Sequence, residues 1–150
     1  MARYNSADIV LAALAASNGA DHSPVQIQKL LFLIDKKVST RIEGPFFNFI
    51  PYDYGPFDRT IYDVLDNLSK EGQVDVVSYA NLRWHKYRLT LDGQKKGEEV
   101  LNTFPFEVRD YFSKLSGFVR SLSFEQLVAV IYNAYPDMKI KSVFANNLAL

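Results

Sequence analysis

The run Ser23-Pro24-Val25-Gln26 constrains the fold of this chain more than any other segment. A serine placed before a helix accepts the amide of the third helical residue, and a glutamine at that third position bonds back to the serine amide. Proline suits the first helical position, where its missing N–H would have found no partner. Ile27, Leu30, Leu31 and Ile34 then recur at i, i+3, i+4 and i+7, which is one face of a helix. The spacing predicts a helix that runs from residue 24 to near residue 39, with an apolar stripe that other elements must cover.

Those elements lie on both sides. Ser6 is the expected N-cap of a shorter helix carrying Ile9, Val10, Ala13 and Leu14, ended by Asn18-Gly19. Past Gly44-Pro45, the run Phe46-Phe47-Asn48-Phe49-Ile50 predicts a brief strand before Pro51, and Tyr52-Asp53-Tyr54-Gly55-Pro56-Phe57 an aromatic turn. Asp58 can cap a third helix with Ile61, Val64, Leu65 and Leu68 on one face and Gly72 as its stop. Residues 74–79 and 83–89 are β-prone and joined through Ala80-Asn81-Leu82, a loop length suited to a hairpin. Thr90 opens a helix through Lys95, Val100 and Leu101, which Gly93 and Gly97 should weaken.

Pro105 restarts the chain, and Val108, Phe112, Leu115 and Val119 predict an amphipathic helix whose apolar face Tyr111 and Phe118 widen. Ser123 and Gln126 repeat the capping box for a last helix through Leu127, Val128, Val130 and Ile131, stopped at Pro136. The tail through Val143 and Phe144 is too short to assign. Two helices, an insert, a third helix and a β-ribbon are the order of a winged helix. The expected fold is therefore α+β and mainly helical. Residues 1–104 form a winged-helix-like core with an aromatic strand and turn insert, and residues 105–150 a C-terminal helical extension packed on the same domain.

Composition narrows the function. At 150 residues, with 48% hydrophobic and 14% aromatic side chains, the chain can build one core without staples. It has no cysteine, which removes disulfides, thiolate nucleophiles and thiolate metal sites. No apolar run reaches the ~18 residues of a membrane span, and the first residues lack a secretion signal's basic-then-apolar order, so the cytosol is expected. Lys plus Arg and Asp plus Glu both total 17, so no net field draws the chain to polyanions, and nucleic-acid binding would need a local basic patch.

Gln28-Lys29-Leu30-Leu31-Phe32-Leu33, Gly44-Pro45-Phe46, Tyr54-Gly55-Pro56-Phe57 and Ile61-Tyr62 occur in an order that resembles the YwgA-like proteins and the related Panacea (SocA-like) antitoxin domains. The similarity covers roughly residues 5 to 100, and the Tyr-Gly-Pro turn after a Lys-Leu-Leu helix is its most distinctive part. It implies a small bacterial, archaeal or phage-associated domain, in some members an antitoxin that holds a partner protein. By position, the matching residues are Lys29, Leu30, Leu31, Tyr54, Gly55 and Pro56. Ile50-Pro51-Tyr52-Asp53 stands where the Panacea pattern has Ala-Trp-like residues.

No cofactor or metal chemistry is expected. His22 and His85 are the only histidines, lack further donors at ligand spacing, and are expected to be surface side chains. Asp53 and Asp58 could form a carboxylate pair, but a turn residue and a helix cap account for them more simply. The candidate partner surface is Tyr52, Asp53, Tyr54, Gly55, Pro56 and Phe57 with Lys29. Six rings within twelve residues, from Phe46 to Phe57, are hard to hide in a small core. The alternative is that the Phe rings pack inward and only the Tyr tips reach water. The candidate nucleic-acid contacts are Arg59 on the third helix and Arg83, Trp84, His85, Lys86 and Arg88 on the ribbon, set against the simpler alternative of a solvated strand face. Asp63 and Asp66 beside Arg59 and Lys70 argue against DNA reading by the third helix, because they cancel much of its attraction for phosphates.

The expectation is a non-catalytic interaction module that binds another protein, such as a toxin or phage-defence effector. The alternative is a DNA-binding regulator using the ribbon, as a homodimer joined by the C-terminal helices. An enzyme of unknown type comes third.

Overall fold

A computed structural model describes residues 3–80 and 85–142. The fold is mainly helical α+β. Six helices appear among the described residues: α1 (Ser6–Ala15), α2 (Pro24–Lys37), α3 (Thr60–Lys70), α4 (Leu91–Thr103), α5 (Phe106–Ser121) and α6 (Phe124–Ala134). Two antiparallel hairpins interrupt them, β1 (Ile50–Tyr52) with β2 (Gly55–Phe57) and β3 (Val74–Val77) with β4 (Lys86–Leu89). Short 3-10 turns lie at Ser39–Ile42 and Pro136–Lys139.

The capping box at Ser23 forms as its chemistry requires: Ser23 Oγ accepts the Gln26 amide, and Gln26 Oε1 accepts the Ser23 amide at 2.8 Å. α2 is the central helix. Every residue from Ile27 to Ile34 is buried, since α1, α5, α6 and β2 all touch it. A single hydrophobic cluster runs from Tyr4 to Met138 and includes Val108, Phe112, Val119, Leu127 and Ile131 from the last two helices. Ser123 and Gln126 close the second capping box.

α4 lies along α1 and passes close to Gln73 ahead of β3, and one glycine serves each approach. A Cβ on Gly97 would stand 2.4 Å from the Leu11 carbonyl oxygen, and one on Gly93 would stand 1.9 Å from that of Gln73. These glycines therefore serve close backbone approach, which outweighs the helix-weakening role expected of them.

Several expectations need correction. The cap of α1 is Asn5, which exchanges bonds with Asp8, so that helix starts one residue before the Ser6 cap would place it. Residues 46–49 are extended but make no ladder, because carboxylates take their amides: Asp35 accepts from Phe46 and Phe47, and Asp58 accepts from Asn48. The strand instead begins at Ile50 and includes Pro51, and the turn residues expected at 55–57 form its partner. The ribbon strands are shorter than 74–79 and 83–89, and residues 81–84, including Arg83 and Trp84, lie outside the described residues, as does the tail with Val143 and Phe144. Tyr111 and Phe118 are 39% and 43% exposed, so they flank the buried stripe of α5 and do not widen it.

His22 is fully buried, which overturns its assignment as a surface histidine. Its backbone exchanges two 2.9 Å bonds with Tyr87, tying the α1–α2 connection to β4. Its ring donates from Nδ1 to the Ala20 carbonyl at 3.2 Å, so Nε2 is left to accept from Ser17, which also bonds Ser116. Desolvation lowers the imidazole pKa to about 4, so the ring is neutral near pH 7.

Candidate functional site

Two consecutive polar side chains on α2 hold the first hairpin against the core. Gln28 Nε2 donates to the Asp58 carbonyl and its Oε1 accepts the Asp58 amide, both at 2.9 Å, so one side chain completes the backbone just past β2. Lys29 Nζ donates to the Pro56 carbonyl at 3.2 Å. At the tip, Ser142 Oγ donates to the Asp53 carbonyl at 3.2 Å and is itself bonded by the Tyr132 hydroxyl of α6. Gly55 sits at φ +104°, and a Cβ there would stand 3.2 Å from the Tyr132 ring, which explains why the turn needs glycine.

The carboxylate of Asp58 joins the hairpin to the next helix. Besides holding Asn48, it accepts the Thr60 amide and hydroxyl at 2.9 and 2.7 Å, which starts α3. The expected cap is displaced by one residue: Arg59 holds the cap position of α3 without a side-chain bond, and Asp58, just before it, bonds Thr60 and Asn48, while Asp53 is held through its backbone carbonyl.

The rings of the insert divide. Phe47 is buried, Phe46 and Phe49 are half-buried, and Phe49 meets Phe32 edge-on at 5.3 Å. Ile50, Tyr52 and Tyr54 face outward, 55%, 47% and 43% exposed. Phe57 lies between, stacked on Tyr52 at 4.9 Å. The whole insert is therefore not one aromatic patch; its exposed apolar part is Ile50, Tyr52 and Tyr54. Tyr54 contacts Phe124 of α6 edge-on at 5.3 Å and borders an apolar groove of about 630 Å³ walled by Pro24, Val25, Leu122, Phe124 and Leu127.

Lys29, expected on the partner surface, is buried at 3% exposure, as are Gly55 and Pro56. Burial alone pushes its ammonium down to about 7 from the ordinary 10.5. A small cavity of about 130 Å³ adjoins it, bounded by Gln28, Tyr52, Asp53, Tyr54 and Tyr62. An open depression of about 670 Å³ near Asp8, Glu71 and Lys96 is larger but touches none of the candidate residues.

The ribbon looks different. Arg88 is ion-paired with Asp21 at 3.3 Å, and the Tyr79 hydroxyl donates to the same carboxylate. Lys86 Nζ lies 5.8 Å over the Tyr79 ring, and His85 bonds Ser78 at 2.8 Å. Tyr87 is half-buried against the core. Arg59, Asp63, Asp66, Asn67 and Lys70 are all exposed on or beside α3. Arg59, Lys86 and Arg88 are thus available at the surface, but Arg88 already has a counter-charge and Arg59 shares its surface with two acids.

Among the described residues, no three His, Cys, Asp or Glu side chains gather as a metal site, and no helix is long and apolar enough to cross a membrane. No family model matches the chain, and neither does any curated protein.

Proposed function

We infer that the chain is a cytosolic, non-catalytic winged-helix interaction module whose first hairpin and adjoining groove receive another protein. The observation that carries this reading is the apolar groove of about 630 Å³ that Tyr54 and the 41%-exposed Phe124 border, next to the exposed Ile50 and Tyr52 of the same hairpin. Surfaces of this kind on a folded domain mark binding sites, and tyrosines bury large area at low entropic cost. Lys29 and Ser142 bond the hairpin backbone and Gln28 fixes the residue just after it, so the hairpin meets a partner preformed. The resemblance to antitoxin domains, centred on the same Tyr-Gly-Pro turn, supports a toxin or defence effector as that partner.

Replacing Tyr52, Tyr54 and Phe57 together with alanine is expected to abolish co-purification of a partner from the native cell while the thermal melt stays cooperative. Unchanged co-purification overturns the reading. Retention on a nucleic-acid column that falls steeply with salt, survives those replacements and is lost in Arg88→Ala would establish the DNA-binding alternative in its place.

A further inference from the structure

The cavity beneath the hairpin holds a feature the interaction surface leaves unexplained. Lys29 Nζ makes one hydrogen bond, to the Pro56 carbonyl, although an ammonium has three donors. No Asp or Glu of the described residues lies within ion-pair distance of it. Buried cations are ordinarily paired, because leaving one unpaired in a low-dielectric site is costly. Here the space beside the amine, about 130 Å³, is open to occupation.

We propose that this cavity is a carboxylate-binding pocket in which Lys29 receives one acidic side chain, Asp or Glu, from the protein that docks on the hairpin. The proposal rests on the protein-binding reading given above and supplies the chemistry of its anchor. Three observations select a carboxylate. One amine compensates one negative charge, so a phosphate dianion would keep an unpaired charge. The walls near Lys29 are largely aromatic and aliphatic, from Val25, Tyr52, Phe57 and Tyr62, which suits the methylene stem of an acidic side chain. Tyr52 and Tyr54, exposed residues of the interaction surface, also line the pocket, so it adjoins that surface and a side chain from a docked protein needs no separate channel.

Binding is coupled to a proton. The amine titrates near 7 when the pocket is empty, and a carboxylate favours the ammonium, so its arrival pulls a proton onto Lys29. The other titratable groups at the cavity are Tyr52, Asp53 and Tyr54 of the hairpin, Tyr62 of α3 and Tyr132 of α6. Tyr62 and Tyr132 are raised by burial and stay neutral through this range. Asp58 lies behind Gln28 with its carboxylate turned to Asn48 and Thr60. Asp53 is the one acidic side chain on the rim and would oppose an incoming carboxylate.

The test uses the protein alone with propionate, which carries the end of a glutamate side chain, and follows the Lys29 Hε and Cε resonances by NMR. Saturating propionate is expected to move the Lys29 midpoint upward by about one unit or more, equivalent to at least tenfold preference for the charged form. Affinity should fall roughly tenfold per unit of pH above that free midpoint. Asp53→Asn should tighten binding, propionamide should do nothing, and Lys29→Met should abolish the response of the Val25 methyls. An unmoved midpoint overturns the proposal. So does an equal response to propionamide or phosphate, or an equal response at the exposed Lys36 and Lys37. Because no partner is present, failure here leaves the co-purification test standing, and failure of co-purification leaves this result standing.

Discussion

Replacing Lys29 with methionine should stabilise the protein near pH 7 and remove a pH dependence that the wild type displays. The lysine titrates near 7 in the folded chain and near its ordinary 10.5 when unfolded, with desolvation as the cause. A base with a lowered folded pKa works against folding at any pH below its unfolded value, and in full below the folded one. The unfolded state then holds a proton that the folded state must either bury or release. Between the two values the unfolded state binds more protons, so stability rises with pH at up to about 1.36 kcal/mol per unit. From about pH 7 to pH 9 the wild type should gain roughly 2 kcal/mol. Methionine fills similar space without the penalty but loses the bond to the Pro56 carbonyl, which costs about 1–3 kcal/mol if that oxygen stays dry. The variant should therefore exceed the wild type by about 1–3 kcal/mol near pH 7 and approach parity by about pH 9. Urea unfolding at several pH values measures both slopes. Parallel slopes, or a wild type that weakens from pH 7 to 9, would show that Lys29 is not buried uncompensated.

His22 acts in the next window down: its folded pKa of about 4 lies below the ordinary 6.5, so stability is intact above about 6.5 and is lost as pH falls toward 4. The loss should reach roughly 3 kcal/mol at most, and urea titrations should find it absent in His22→Gln. Gly97→Ala should destabilise by about 1–3 kcal/mol in thermal melts, against the gain of up to ~1 kcal/mol that helix propensity alone offers, because its Cβ would meet the Leu11 carbonyl at 2.4 Å. A stabilised variant would mean that α1 and α4 are not in contact there.

What the sequence made legible was local. The boxes at Ser23 and Ser123 and the stop at Gly72 depend on residues a few positions apart, and each forms where its pattern lies, whereas α1 ends at Ala15, ahead of the stop expected at Asn18-Gly19. The N-cap of α1 escaped because Asn5 with Asp8 is a box outside the serine-and-glutamine template. His22 escaped for a different reason. Its burial comes from Ser17, Ser116 and Tyr87, and nothing about a histidine between Asp21 and Ser23 signals contacts that distant.

The candidate site shows the same divide. Its exposed members, Tyr52 and Tyr54, could be picked out by ring density alone. Lys29 could be singled out by its place in the Lys-Leu-Leu helix, but not its depth, since periodicity marks one stripe of α2 while α5, α6 and β2 bury the rest. The strand shift at residues 46–52 likewise arises from Asp35 and Asp58 capturing three backbone amides, which β-propensity does not encode.

Site-specific photo-cross-linking in the native cell tests the protein-binding surface most directly. A benzophenone amino acid replaces Tyr54 in one variant, Arg88 of the ribbon in a second and the exposed Ser113 of α5 in a third. Irradiation should yield one discrete protein adduct from position 54 and none from position 113. Adducts to nucleic acid from position 88, with position 54 giving none, would contradict the assignment of the hairpin as the binding surface.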